Sequence, residues 1–264
     1  MDAVHTIREA VARVTTLRAL TAASPALQDA ITAVKGFQAH RFACTYWDLL
    51  ISVEFAGAAR FFLEELYSDK DYSQRDAQFA RIAGGLQRFF PDQVVATAVS
   101  LAQLHVLTEE LDHEMAVAWI TDDTNPSPPC NATLRYLRAW RRVARREDRN
   151  RQLDEVLAVG YELNRLTHTR GLRLMLKLMR RPAMAAGVGA LQSFLEAGFD
   201  TFADMAAKGE RANAFLSMIR SRESQWINML FDGDETACVS NLNDCLKKSA
   251  SGDAANASGA FCQN

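Results

Sequence analysis

Residues 37–67 read FQAHRFACTYWDLLISVEFAGAARFFLEELY, and this stretch decides the fold class. At about 100° per residue its apolar side chains fall on nearly every side: Phe42, Tyr46, Trp47, Leu49, Leu50, Val53, Phe55, Phe61, Phe62 and Leu66. A helix that is apolar all round has to be covered by others. The pattern predicts one long helix, begun at Ser24-Pro25, with Gly36 as a candidate bend. Its 37–67 portion is expected to be the most buried element of the molecule.

Helical periodicity continues on both sides, and no strand alternation interrupts it. Residues 2–22 form a first amphipathic pattern. The run SDKDYSQRD breaks the chain after Tyr67, and Ser73 with Asp76 resembles a capping box that starts a helix to about residue 90. Pro91 opens another helix to about residue 120. TDDTNPSPPCN at 121–131 is a linker, because Pro126, Pro128 and Pro129 do not fit inside a helix. Four more helices are expected at about 132–148, 150–180, 182–207 and 210–231, with Pro182 at one boundary. From Asp232 the chain turns small and polar, which predicts a disordered tail over 232–264. The expected fold is therefore all-α. It comprises about eight helices in a two-layer bundle around a buried central helix, forming one domain over 1–231.

Composition sets few limits on function. The chain of 264 residues is 48% apolar and 23% charged, with a net charge of −2. No apolar run is long enough for a membrane span or a signal peptide. The five cysteines include no Cys-x-x-Cys pair, which disfavours a zinc knuckle. A reduced, cytoplasmic protein is expected, with Cys238–Cys245 the disulfide considered.

Charge is unevenly placed. Between Arg135 and Arg181 lie fourteen of the thirty basic residues and five of the thirty-two acidic ones. On a single helix Arg135, Arg138, Arg141, Arg142, Arg145, Arg146 and Arg149 would share one face, opposite Tyr136, Leu137 and Trp140. Arg170, Arg173, Lys177 and Arg180 repeat the arrangement further on. Arginine suits bidentate contact with carboxylate or phosphate. The leading expectation is a non-enzymatic interaction or regulatory protein that holds an acidic protein or another anionic partner on this face. The plainer reading is a solvated face, or one docked on acidic residues of the first half. Nucleic acid fits less well, because the domain is not basic overall and aromatics do not interleave the arginines.

Two other patterns carry possible chemistry. In LAQLHVLTEELDHEM, His105, Glu109, Asp112 and His113 sit at i, i+4, i+7 and i+8, a ligand-capable spacing. With His40 or Glu65 they motivate a second expectation, a helical-bundle enzyme or sensor that binds metal or haem. Against it, Glu110-x-x-His113 has no second Glu-x-x-His, and Glu110 points away from the stripe of Leu104, Leu107, Leu111 and Met115. No cofactor is expected on balance. Arg41, Thr45, Asp48 and Ser52 form a polar stripe on the apolar helix, read as a polar pocket, an Arg41–Asp48 interhelical network or a water-facing strip. Phosphate loops, glycine-rich nucleotide motifs and catalytic triads are absent from the sequence.

The stretch from His40 to Ile82, HRFACTYWDLLISVEFAGAARFFLEELYSDKDYSQRDAQFARI, together with LAQLHVLTEELD, resembles a family of uncharacterised all-helical proteobacterial proteins with an FFLEELYG-x-KD-like motif. The likeness spans roughly residues 38–120, and Ser68 stands where the motif has glycine. It implies an all-α fold and a bacterial cytoplasmic setting. It implies no activity and no catalytic residues.

Overall fold

The computed structural model describes residues 2–65, 76–81, 92–122, 132–206 and 209–256, with side chains described as far as residue 247 and not for Glu65. Among the described residues there are eleven helices and no strand. They are α1 (Ala3–Ala22), α2 (Pro25–Thr45), α3 (Trp47–Leu50), α4 (Ala56–Glu65), α5 (Asp92–Asp122), α6 (Ala132–Val143), α7 (Arg146–Thr167), α8 (Leu172–Ala185), α9 (Gly189–Ala206), α10 (Arg211–Asp232) and α11 (Glu235–Asn256). Residues 76–81 add a short helical stretch. The fold is all-α, with more helices than the eight expected.

The long apolar helix is in fact three pieces. α2 starts as its sequence dictates, with Ser24 as N-cap and Pro25 in the first turn, and runs unbroken past Gly36. It stops at Tyr46, whose backbone leaves the helical region at φ −111° and ψ 18°. A second stop follows α3. The Ser52 hydroxyl accepts hydrogen bonds from the backbone N–H groups of Glu54 (3.1 Å) and Phe55 (3.4 Å), and Ser52 O accepts from Ala56 N. Ser52 thus starts α4 rather than continuing the previous helix, the competition that serine offers inside any helical run. Ile51 and Val53 consequently face solvent, Val53 at 97% exposure. Phe61 and Phe62 remain buried, as expected.

The element that the others wrap is α5, which packs against α1, α2, α6 and α7. Leu111, Met115 and Ala116 at its middle are wholly buried. The main core gathers Met115 and Ala116 with Phe62 of α4, Tyr136 and Leu137 of α6, Leu157 of α7, Phe202 of α9 and Phe215 and Leu216 of α10. Smaller clusters join α1 to α5 (Ile7, Ala10, Val95, Ala98, Ala102) and α7 to α8 and α9 (Leu166, Leu172, Leu176, Phe199). The expected center at 37–67 thus moves to 92–122, because α5 is long and uninterrupted while the aromatic stretch contains its own helix stops.

Three further expectations change. The Arg135–Arg149 segment is not one helix. Ala144 takes a left-handed conformation (φ 53°), so Arg135–Arg142 lie on α6, Arg146 and Arg149 on α7, and Arg145 between them. Pro182 lies inside α8 and not at its boundary. The chain beyond 232 is helical over Glu235–Asn256. Its Cys238 and Leu242 are fully buried in the main core, because α11 lays one apolar stripe on α2 and α6. The capping residue Ser73, the prolines of the 121–131 linker and residues 257–264 lie outside the described residues.

A disulfide joins Cys44, near the end of α2, to Cys245 on α11, with Cα atoms 5.7 Å apart and a sequence separation of 201. The pairing considered from sequence was Cys238–Cys245. Cys238 is instead a free, buried thiol that bonds Met229 O at 3.0 Å. Burial pushes that thiol above its ordinary value. The disulfide runs against the expectation of an all-thiol chain. A cross-link closing so long a loop chiefly restricts the unfolded chain and contributes about 2–5 kcal/mol. Urea unfolding with and without reductant should therefore show that loss, and Cys44→Ser should reproduce it. Equal midpoints, together with rapid alkylation of both cysteines in unreduced native protein, would contradict the pairing.

Candidate functional site

α5 places His105, Glu109 and Asp112 within two turns of one another, on one side of the helix. None of them is solvated in the way a polar triplet on an isolated helix would be. Glu109 is 6% exposed and Asp112 is 3% exposed. A buried carboxylate requires a cation or hydrogen-bond donors nearby. Three other elements supply them. Asp76 of the 76–81 stretch lies 2.9 Å from His105 Nε2 and 2.9 Å from Arg18 Nη2 of α1. The same Arg18 nitrogen lies 3.5 Å from Glu109 Oε1. Lys35 of α2 donates to both Glu109 oxygens, at 2.9 and 3.0 Å, and sits 3.9 Å from Asp112 Oδ2. Charges therefore alternate along one chain, Asp76–Arg18–Glu109–Lys35–Asp112, with His105 bonded at its Asp76 end. Gln78, bonded to the backbone N–H of Leu191, ties the 76–81 stretch to α9 and so positions Asp76.

The chain sets the proton affinities. Burial pushes Asp76 and Glu109 upward, but their partners outweigh it. His105 and Arg18 hold Asp76 below the usual carboxylate range, and Lys35, His105 and Arg18 do the same for Glu109. Asp112 goes the other way. It is fully buried, and desolvation outweighs Lys35 and Arg149 to raise its pKa. Its Oδ1 has no hydrogen-bond partner, and neither has Nε2 of the neighbouring Gln38.

These groups form one end of a cavity of about 170 Å³ between α1, α2, α5, α7, α9 and the 76–81 stretch. Lys35, Gln38, Asp76, His105, Thr108, Glu109 and Asp112 line the polar end. The remaining wall is almost wholly apolar and includes Phe79, Ala98, Leu101, Ala102, Leu166 and Leu195. A smaller pocket of about 30 Å³ shares Leu101, Leu104, Val156, Leu163, Phe194 and Leu195 with it and reaches Phe61 and Phe62.

Three of the four residues put forward for a metal or haem thus share a wall, but they do not converge as ligands. Arg18 and Lys35 stand between the carboxylates. His113 leaves the site and faces Thr21 of α1, with Nδ1 3.4 Å from its hydroxyl. Glu110 binds Arg13 at 2.8 Å. His40 is exposed, and the Glu65 side chain lies outside the described residues. Among the described residues no three His, Cys, Asp or Glu side chains form a metal-holding group.

The arginine face is largely bound within the molecule. Arg135 donates twice to Trp119 O (2.7 and 3.0 Å), and Arg142 donates to Ala118 O (3.3 Å), both carbonyls in the last turns of α5. Arg141 donates to Leu230 O at 2.9 Å and to Gly233 O at the end of α10. Helix C-termini leave carbonyls without internal partners, and a cation there also meets the negative end of the helix dipole. Arg145 bridges Glu114 and Asp148, Arg146 pairs with Asp232 and Asn228, and Arg138 meets Glu235 at 3.5 Å. Arg149 is buried over the Trp140 ring and bonds Gln152. Among the described residues Arg145 thus reaches an acid of the first half, Glu114, and Arg135 and Arg142 reach that half through backbone carbonyls.

The polar stripe faces α10 and not itself. Arg41 is 4% exposed and forms a two-pronged pair with Glu223 (3.2 and 2.8 Å), while Tyr46 donates to the same carboxylate at 2.7 Å. Burial works against the charge on Arg41, but Glu223 and its other neighbours raise its pKa overall. Thr45 accepts from Trp226 Nε1 at 3.0 Å, and Asp48 pairs with Arg222 at 2.6 and 2.7 Å. There is no Arg41–Asp48 pair, and Ser52 is the α4 cap. Sequence reasoning missed Arg222, Glu223 and Trp226. Their signal was a charged pair with an aromatic, RESQW, inside an otherwise apolar-faced helix.

The proton affinities give an acid–base signature. Asp76 and Glu109, with lowered values, contribute stability that is present above about pH 4 and lost as pH falls through their native values. Asp112, with a raised value, contributes stability that is full at low pH and lost as pH rises through its native value. Asp112→Asn should therefore gain on the wild type as pH rises above about 4, by denaturant unfolding. A difference independent of pH, or one that shrinks with rising pH, would contradict the burial of an ionisable Asp112.

No helix among the described residues is long and apolar enough to cross a membrane. No curated protein and no solved structure matches the chain. A family defined as a domain of unknown function (DUF8198) matches residues 17–237, a span that takes in the charge chain, the Arg41–Glu223 pair and all of the cavity lining except Ala10 and Val11. With most of its length inside that match, the chain belongs to the DUF8198 family.

Proposed function

We propose that this protein binds a small, mostly apolar molecule in the α1–α5–α9 cavity, as a sensor or carrier and not as a catalyst. One observation carries the reading: a cavity of about 170 Å³ whose wall is mostly apolar, with Thr97 the exception away from a chain of paired charges held in place. An apolar cavity near 150 Å³ is enough to take up a benzene-sized guest. A pocket with apolar walls and a few fixed polar groups is the general form of a small-molecule site. The charged groups are already bonded to one another, which leaves none placed as an evident nucleophile. The test is unfolding temperature in the presence of toluene. A ligand bound to the folded state at about 100 times its Kd stabilises by about 2.7 kcal/mol. Toluene should raise the unfolding temperature of the wild type. It should do nothing for Ala98→Phe or Ala102→Phe, which fill the cavity. No effect on the wild type, or the same effect on the filled variants, would sink the reading.

A second reading keeps the expected anionic partner but seats it on α8. There Leu174 and Leu178 are 61% and 68% exposed, beside the exposed Arg170, Lys177 and Arg181. Arg173 and Arg180 are already paired with Asp200 and Glu196. An exposed leucine stripe with a basic flank suits an acidic amphipathic helix of a partner protein. A synthetic peptide with a leucine stripe flanked by glutamates should bind, and should bind less tightly as salt rises. Binding that persists unchanged in Leu174→Asp/Leu178→Asp would rule the surface out.

A further inference from the structure

The cavity is long and not round. Its lining on α5 runs from Val94 to Asp112 and takes in Ala98, Leu101 and His105 between them. These positions stand at i, i+4, i+7, i+11 and i+18, so they fall within about 60° of one another on the helix. At about 1.5 Å per residue that face is about 27 Å long, whereas a sphere of about 170 Å³ would be only about 7 Å across. Valine and aspartate are short, so side chains leaning inward from the two ends do not close the difference. Spread along the face, the volume makes a narrow passage, which suits a chain and not a fused ring system.

Other elements cover this passage in turn. Lys35 of α2 and Asp76 of the 76–81 stretch stand at one end, bonded to Glu109 and His105. Ala10 of α1 shares a cluster with Ala98 and Ala102 in the middle. Leu166 of α7 and Leu195 of α9 share another with Val94 at the far end. Polarity follows the same axis. Among the described residues, the charged side chains of the lining all belong to the His105–Asp112 end. Toward Val94 the described lining is apolar save for Thr97, whose hydroxyl donates to Gln93 O at 2.8 Å. The apolar part, from Leu104 to Val94, is about 15 Å long at the helical rise, the span of an extended chain of about ten to twelve carbons.

We infer that the ligand is a linear amphiphile, an unbranched alkyl chain of about ten carbons with a single polar head, a length set by the helical rise along α5. The chain lies along α5 from Leu104 toward Val94, and the head stays at the end marked by Lys35 and His105. This inference rests on the small-molecule reading of the cavity and adds the shape of the molecule to it.

Straight 1-alkanols from butanol to decanol, titrated against the full chain by calorimetry or by ligand-observed NMR, test that shape. Each added methylene up to decanol should tighten binding about fourfold, the transfer value of one buried CH₂ group. Cyclohexylmethanol should bind more weakly than 1-heptanol, which has the same number of carbons. Val94→Phe narrows the far end alone. It should weaken decanol on the order of tenfold or more, the loss of two or more buried methylenes, and leave 1-butanol and toluene unchanged. A plateau reached by hexanol would overturn the inference and leave the small-molecule reading in place. So would equal affinities for cyclohexylmethanol and 1-heptanol, or a Val94→Phe protein that binds decanol as the wild type does. If neither toluene nor any alkanol binds, the cavity reading itself falls, and this inference falls with it.

Discussion

The structure depends on one constraint: α5 carries two carboxylates, Glu109 and Asp112, through its most covered stretch. An unpaired charge there would cost more than the apolar contacts around it supply. The neighbours are therefore fixed by what they must bring. α1 has to present Arg18, α2 has to present Lys35, and the 76–81 stretch has to present Asp76 between Arg18 and His105. Each of these pairs sets a register between elements that apolar packing alone would leave freer to slide. The cavity exists where this register holds the helices apart, and its polar end is the same set of residues.

A second buried pair does comparable work on the other side of α2. Arg41 and Glu223 are far apart in sequence and bind each other out of water, with Tyr46 as a third hydrogen-bond partner. Arg41 also stacks over Phe42 and Trp226, at 4.3 and 5.5 Å from the ring centroids. The Cys44–Cys245 disulfide lies three residues further along α2 and joins it to α11. Together they clamp the end of α2 between α10 and α11. The arginines of α6 complete this region by closing the C-terminal carbonyls of α5 and α10. Three arginines of the positive cluster that stands out in the sequence, Arg135, Arg141 and Arg142, thus act as helix caps.

The helical class could be read from the sequence because the 3.6-residue period is strong along the whole chain. The partition of the 37–67 stretch could not. Its apolar count is that of a central helix, and the stop depends on one hydroxyl, Ser52, turning back on the N–H groups of Glu54 and Phe55. The left-handed turn at Ala144 is similarly local, and it divided an arginine face that periodicity had drawn as continuous. His105, Glu109 and Asp112 could be picked out by spacing. Their chemistry could not, because it is set by Arg18, Lys35 and Asp76, which reach them from elements distant in sequence. Helical spacing shows which residues share a side, but it does not show what faces that side. The same gap hid Glu223, 182 residues from Arg41.

The most direct test of the cavity as a ligand site is a crystal structure of the protein grown with toluene. The expected result is a single ordered molecule with its ring between α1, α5 and α9, and with the Lys35–Glu109 pair unbroken. A cavity closed by inward rotation of its own side chains would contradict the account. So would toluene bound only on the outer surface.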